Sequence, residues 1–268
     1  MNAHPMEQYH ALVRTALQQA PRTDRTGTGT RSVFGSMLSF DHRQPGNFPI
    51  ITTKKLNTRA VFAELLWFLS GSTNISDLDA RIWDQWADPD GEVGPVYGKQ
   101  WRSWSKENGE EIDQIRRLIE NIENDPYSRR HIVSAWNVAQ LDDMALMPCH
   151  YAFQLYVESD ESLSIMVHQR SADLMLGVPF NLCSYSALLC MIAQCVGRVP
   201  GQHLHTFGDA HLYENHLEGA REMLSRSHYR SPEIRLNPAA LDIDDFKIED
   251  IVITDYESHP AISLPIAI

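Results

Sequence analysis

The chain has 268 residues, 43% hydrophobic and 22% charged, which is enough to bury one large core. Its formal net charge of -12 excludes a molecule-wide cationic surface for nucleic acid, so any phosphate it binds must be met by a few placed arginines. No run approaches the roughly 18 apolar residues of a membrane helix, and the start lacks a signal-peptide pattern. The four cysteines, Cys149, Cys183, Cys190 and Cys195, show neither a C-x-x-C pair nor a zinc spacing, so a cytosolic protein with reduced thiols is expected.

Taken in order, residues 7–19 have a helical apolar period and are closed by Pro21, which predicts an amphipathic helix. Asp24-Arg-Thr-Gly-Thr-Gly-Thr30 reads as a loop whose backbone N–H groups, with Arg25, could face an anion. It lacks the Gly-Lys-Ser/Thr ending of a P-loop, and a plain turn fits it equally well. Residues 32–40 predict a strand. Thr58 is placed to cap a helix through Val61-Phe-Ala-Glu-Leu-Leu-Trp-Phe-Leu69 that stops at Gly71. That helix is apolar on nearly every side and belongs in the core, with Glu64 in its middle. A carboxylate there either pairs with a cation or has its pKa raised toward that of a general acid or base; a hydrogen-bonded core glutamate is the plainer alternative.

Trp83, Trp86, Trp101 and Trp104, four of the six tryptophans, surround Pro95-Val-Tyr-Gly98, a density that suits either a wall for a flat ligand or ordinary packing. Residues 110–122 predict a helix broken at Asp125-Pro126, and 131–136 a strand preceded by Arg129 and Arg130. Adjacent strand side chains point to opposite faces, so the two arginines would not share one anion unless the backbone bends.

The stretch from Met147 to Val157 alternates with a period of two after Pro148, which sets Cys149 at the mouth of a strand, rigidly held yet able to face a cavity. Residues 163–167 alternate again and complete a hairpin, followed by the polar cluster Gln169-Arg-Ser-Ala-Asp173. Pro179 and Asn181 signal the start of a helix that runs to Gly197, with Asn181 as a candidate N-cap. Residues 203–207 alternate, Gly208-Asp209 reads as a turn, and His211-Leu-Tyr213 opens a helix to about Arg226. His203, His205, His211 and His216 lack a metal-ligand spacing, so no metal is expected on them. Residues 246–254 predict a last strand before an apolar tail. Helices mixed with mostly antiparallel strands, without repeat or linker, make a single α+β domain over 1–268.

Asp24-Arg-Thr-Gly-Thr-Gly-Thr30, Glu64-Leu-Leu-Trp-Phe-Leu69, Gly94-Pro-Val-Tyr-Gly-Lys-Gln-Trp101, Ser128-Arg-Arg130, Pro148-Cys-His150, Gln169-Arg-Ser171, Gly177-Val-Pro-Phe-Asn181 and Gly208-Asp-Ala-His-Leu-Tyr213 resemble the thymidylate synthases, in order, over essentially the whole chain. The resemblance implies a large mixed sheet packed by helices, with one sheet face joining a homodimer. It also implies methylation of dUMP to dTMP, with 5,10-methylenetetrahydrofolate as cosubstrate and no metal. Carried over, Cys149 would add to pyrimidine C6, its pKa lowered by Arg170. Arg25, Arg170 and Ser171 would hold the 5′-phosphate with Arg129 and Arg130 of the partner subunit. Asn181 would read the uracil edge, and His211 and Tyr213 the ribose. Glu64, with His150 and Tyr97 ordering water, would move protons.

On the folate side the resemblance implies Ile82 and Trp83 against the pterin and Lys54 and Lys55 at the glutamate tail. Asp173 and Gly177 would border the pterin, Asp173 next to the nucleotide as well, and Ile268 would close the site. The sequence departs from the family's usual residues at Asn57, Met147, His168, Met175, Cys183 and the segment 225–232. Two other readings stay open: a deoxyuridylate hydroxymethylase, which lets water rather than hydride reach the methylene, and a silent homologue that only binds nucleotide or RNA.

Overall fold

The computed structural model describes residues 4–266. Helix α1 (Glu7–Leu17) turns Tyr9, Leu12, Val13 and Ala16 inward, with Glu7 in its first turn and Arg14 in its last, each complementing the helix dipole. It leads to β1 (Thr30–Asp41) and then α2 (Thr58–Ser70). Asn57, not Thr58, caps α2: its side chain accepts from Ala60 N–H, and Thr58 is the first helical residue. Gly71 ends α2 with φ 78°, and a Cβ there would stand 2.9 Å from Arg102 Cβ, so both backbone and space call for glycine.

The tryptophan-rich stretch holds a short helix, α3 (Tyr97–Arg102), followed by the small hairpin β2 (Trp104–Ser105) and β3 (Glu111–Ile112). Helix α4 (Gln114–Asn124) starts after Asp113, which accepts from Arg116 N–H, and so begins later than expected. Then come β4 (Ile132–Ser134), β5 (His150–Val157), β6 (Leu163–Asp173), α5 (Gly177–Cys195), β7 (Pro200–Tyr213), α6 (Leu217–Ser225), β8 (Glu233–Leu236) and β9 (Ile251–Thr254). The last strand is shorter than expected because a 3-10 turn occupies Ile248–Asp250, and its partner β8 was not foreseen.

The main sheet has five strands in the order β1-β7-β6-β5-β4, antiparallel except for the parallel pair β6 and β7. It is thus mixed rather than wholly antiparallel, in an α+β fold. The expected turn at Gly208-Asp209 is absent, because β7 runs straight through to Tyr213. A Cβ on Gly208 would stand 2.7 Å from Arg170 O, so this glycine admits a close approach of β6. His211 and Tyr213 accordingly lie on a strand rather than a helix, paired with Asp173 and Thr30 of adjacent strands.

Helix α5 overturns another expectation. With 19 residues and a mean hydropathy of 1.4, it is long and apolar enough to cross a membrane, yet most of it is buried against the sheet inside the fold. Its apolarity is that of a core helix. The sheet's other face stays open: register lines up Ser39, Leu204, Met166, Gln154 and Ile132 in one row and Met37, Thr206, His168 and Ala152 in the next. Met37, Ile132 and Tyr156 on this face are half exposed.

Candidate active site

Cys149 immediately precedes β5, its N–H donating to Tyr97 Oη at 2.8 Å and its carbonyl accepting from Arg170 N–H at 2.8 Å. The thiol is therefore fixed between α3 and β6. Arg170 Nε and Nη2 donate to the carbonyls of Pro148 and Met147, and the guanidinium lies 5.3 Å from the centre of the Trp136 ring. Burial pushes the Cys149 thiol up, and the opposing pull of Arg170 does not overcome it. The expected lowering by Arg170 is present in direction but outweighed in the free chain.

Behind the cysteine stands a wall of rings. His150 stacks on Tyr97 at 4.2 Å and its Nδ1 lies 2.8 Å from Tyr185 Oη; burial pushes the imidazole down to about 3, so it is neutral. Glu64, from the middle of α2, is only partly covered and accepts from Trp83 Nε1 at 2.7 Å. Burial raises this carboxyl to about 7, the Trp83 hydrogen bond offsetting only part of the effect. Trp83 is in turn set by Trp67, Phe68, Trp86 and Tyr97, at centroid distances between 5.5 and 6.2 Å. The tryptophan cluster is thus both core and wall.

Asn181 sits inside α5 rather than capping it. Its Oδ1 accepts from Gln169 Nε2 at 3.1 Å, and the same amide donates to Ser171 O at 3.0 Å. A backbone carbonyl only accepts, so Gln169 Oε1 must face the other way, where His205 Nε2 lies at 2.8 Å. His205 is then an Nε2–H tautomer whose Nδ1 accepts from His203 Nε2 at 3.1 Å. His203 Nδ1 lies 2.8 Å from Ser186 Oγ, and Ser186 Oγ 3.1 Å from His42 Nε2. One carbonyl thereby orients a polar chain through the core, leaving the Asn181 Nδ2 donor and a lone pair of Oδ1 for a ligand. Burial drives His203 and His205 well below the ordinary imidazole range, so the chain stays neutral.

On the remaining side, Tyr213 and His211 end β7, their rings 5.0 Å apart and His211 Nδ1 3.3 Å from Asp209 Oδ1. Burial raises the Tyr213 phenol to about 12, and Asp173, Asp24, Cys149 and Arg25 all lie near enough to act on it. Arg25 is exposed on a loop shaped by Asp24, which accepts from Thr26 and Gly29 N–H. Asp173 accepts from Met175 and Leu176 N–H ahead of Gly177, the first residue of α5. Burial would raise Asp173, but His216 and these N–H groups hold it below the carboxylate range. His216 Nδ1 stands 3.8 Å from Asp173 Oδ1, an ion-pair distance rather than a hydrogen bond.

Some expected residues do not join this group. Continuing the register of Ile132 with Gln154 sets Arg130 beside Tyr156, so at about 3.3 Å per residue the backbones of Arg130 and Arg129 lie roughly 23–26 Å from Cys149 along β5. Lys54 is buried with Nζ donating to Met175 O, and burial lowers it to about 8; Lys55 is exposed. Ile82 is half-buried beside Trp83, and Ile268 lies outside the described residues. Met175 and Cys183 are wholly buried, and His168 stacks on Tyr151 on the open sheet face. Among the described residues, an open cleft of about 530 Å³ lies against α2 at Trp67 and another of about 510 Å³ is bordered by His42, neither lined by Cys149.

Sequence reasoning assigned no role to Gln169, His205, His203, Ser186 or Tyr185. A signal existed: His203 and His205 alternate in phase with Phe207, and buried imidazoles on a strand's inner face must find partners. A family model described as thymidylate synthase matches residues 7–268. That span takes in every element from α1 to β9, and the chain therefore belongs to the thymidylate synthase family.

Proposed function

We propose that this chain converts dUMP to dTMP, and the observation that carries the reading is the grouping of a held thiol, a carboxyl that burial lifts to about 7 and a carboxamide of fixed orientation. Cys149, as thiolate, adds to pyrimidine C6 and sends the electron pair to C5, which becomes the nucleophile. Because burial raises the thiol, it starts protonated and must be deprotonated as the pyrimidine arrives. Asn181 donates from Nδ2 to uracil O4 and accepts from N3–H; cytosine reverses that edge and meets a carboxamide that Gln169 prevents from turning. Glu64 carries protons to and from the base, with neutral His150 and Tyr97 ordering the water between. Arg25, Arg170 and Ser171 hold the phosphate, and His211 and Tyr213 the ribose.

The aromatic wall suits a folate: Trp83 and Ile82 offer an apolar flank beside Glu64, Asp173 and Gly177 border the pterin from the start of α5, and the exposed Lys55 meets a carboxylate tail. When bound, 5,10-methylenetetrahydrofolate supplies the one-carbon unit and the hydride. Lys54, tied to Met175 O, holds the segment between Asp173 and Gly177.

The open sheet face, with Met37, Ile132 and Tyr156 half exposed, joins two copies in our reading. Arg129 and Arg130, remote from their own Cys149, then serve the phosphate of the partner's site. Four free thiols suit a reducing, cytoplasmic setting. The deciding experiment mixes protein, dUMP and methylenetetrahydrofolate and follows dihydrofolate by absorbance and the nucleotide by mass. Dihydrofolate rising in step with dTMP is expected. A hydroxymethylated nucleotide without dihydrofolate, or no product at all, overturns the proposal.

A further inference from the structure

A second group of chemistry-bearing side chains lies at the N-terminal helix. Glu7 and His10 are three residues apart on α1 and so share one face, and His228 follows the end of α6. One potential ligand atom from each of the three lies within 4.8 Å of the others. His228 Nε2 is 3.2 Å from Glu7 Oε2, close to the roughly 3.3–3.6 Å that separates two ligands held about 2.0–2.2 Å from a common tetrahedral ion. The ligands are already supported from behind: Arg14 donates to Glu7 Oε1, leaving Oε2 to His228, and His10 Nε2 lies 3.0 Å from Thr53 Oγ1, leaving Nδ1. The His4 ring stacks on His228 at 4.1 Å and 10°, and the His10 ring lies 4.4 Å from it on a tilted plane. His10 is 2% exposed, whereas the Glu7 side chain is 43% exposed and opens the group to solvent. Among the described residues, His4 Nε2 and His228 Nδ1, which are not the atoms that face Glu7, are buried without a hydrogen-bond partner.

We infer that Glu7, His10 and His228 bind one divalent transition-metal ion of the Zn²⁺ class. Two imidazoles and a carboxylate are the donor set such an ion takes, and an exposed carboxylate leaves further positions for water. The ion would tie α1 to the segment after α6. There Arg226 donates from Nη1 to Thr53 O and Pro260 O, so the same tie reaches the support of the C-terminal tail.

The test uses the tag-free full chain, stripped with EDTA, dialysed and titrated with ZnCl₂ in a calorimeter, with Co²⁺ absorption spectra alongside. One Zn²⁺ per chain is expected, weakened at least about tenfold in Glu7→Gln and in His228→Asn, with Co²⁺ giving weak visible bands and no thiolate charge-transfer band. Glu7 and His228 are the more accessible members, and circular dichroism of each variant checks that the fold persists. Absence of saturable Zn²⁺ binding, unchanged affinity in both folded variants, or a thiolate band that moves the ion to a cysteine overturns the inference.

Discussion

Two halves of the site bury titratable groups to opposite ends. On the wall, Glu64 has Trp83 as its hydrogen-bond partner and is lifted to about 7, where it can gain or lose a proton at working pH. In the polar chain, His203 and His205 each meet a partner on both ring nitrogens and are driven far from titration. Desolvation is the first cause in both. It raises a carboxyl toward neutrality and lowers an imidazole away from it, so one physical effect makes one half reactive and the other half inert. Proton movement belongs where hydrogen bonding is incomplete, and recognition where it is complete.

The largest effect should come from removing the group both halves serve. Cys149→Ser is expected to bind dUMP by calorimetry while kcat falls at least about 10³-fold; turnover near wild type would remove Cys149 from the chemistry. Mixed with an equally inactive Arg129→Glu variant, it should regain activity through heterodimers, and strict non-complementation would count against arginines shared across the sheet.

Glu64→Gln tests the reactive half and should separate activity from stability. Loss of a proton carrier lowers kcat by about 10²–10⁴-fold and flattens the pH–rate limb near 7. Stability moves the other way. Between pH 4.5 and about 7 the folded carboxyl keeps a proton that the unfolded chain has lost, so stability falls as pH rises through that window. Above it the wild type carries a penalty of roughly 3 kcal/mol that the amide does not. Urea unfolding at pH 8 should therefore find Glu64→Gln the more stable protein by about 2–3 kcal/mol, a gap that narrows toward pH 5; a less stable variant at pH 8 would mean that Glu64 is paired rather than desolvated.

The contrast also explains what the sequence could and could not reveal. Glu64 was legible because a lone carboxylate among Phe62, Leu65, Trp67 and Phe68 breaks a simple pattern. Cys149 was legible from Pro148 and the alternation that follows. The histidine chain was not, since its members come from residue 42, from α5 and from two strands, and only the register of β6 on β7 brings Gln169 beside His205. Gly208 shows the same limit: alone it signals a turn, and the close Arg170 carbonyl that demands it is known only once the sheet is built. Arg129 and Arg130 posed a question about facing directions, which the register sharpened into one about distance.

His203→Phe strikes the inert half. It fits the strand but strips the Ser186 hydroxyl and His205 Nδ1 of a buried partner, costing about 1–3 kcal/mol by urea unfolding. With His205 free to change tautomer, Gln169 and Asn181 lose their fixed orientation. KM for dUMP should rise several-fold and the preference for dUMP over dCMP should shrink, with kcat changing less. Unaltered pyrimidine preference at reduced stability would show the chain to be structural only.

The smallest effect lies where the two halves adjoin the tail. His216 Nε2 is 2.7 Å from Pro265 O, and its other nitrogen faces Asp173. Burial alone would lower His216, but the Asp173 carboxylate and the Pro265 carbonyl outweigh it and raise it above 6.5, while Asp173 is held below 3.8. The histidine's contribution is complete below pH 6.5 and fades as pH climbs through its folded pKa; the aspartate's is complete above 3.8 and fades as pH drops through its own. The pair is therefore strongest between these limits, and alkaline pH loosens it. His216→Gln keeps an amide to donate to Pro265 O but cannot carry charge. Its melting temperature should vary less between pH 6 and 8 than that of the wild type, and its tail should be cleaved by a protease at a rate that pH in this range barely alters. Parallel pH slopes for the two proteins would mean that the tail is held by the carbonyl contact alone, without the charge of His216.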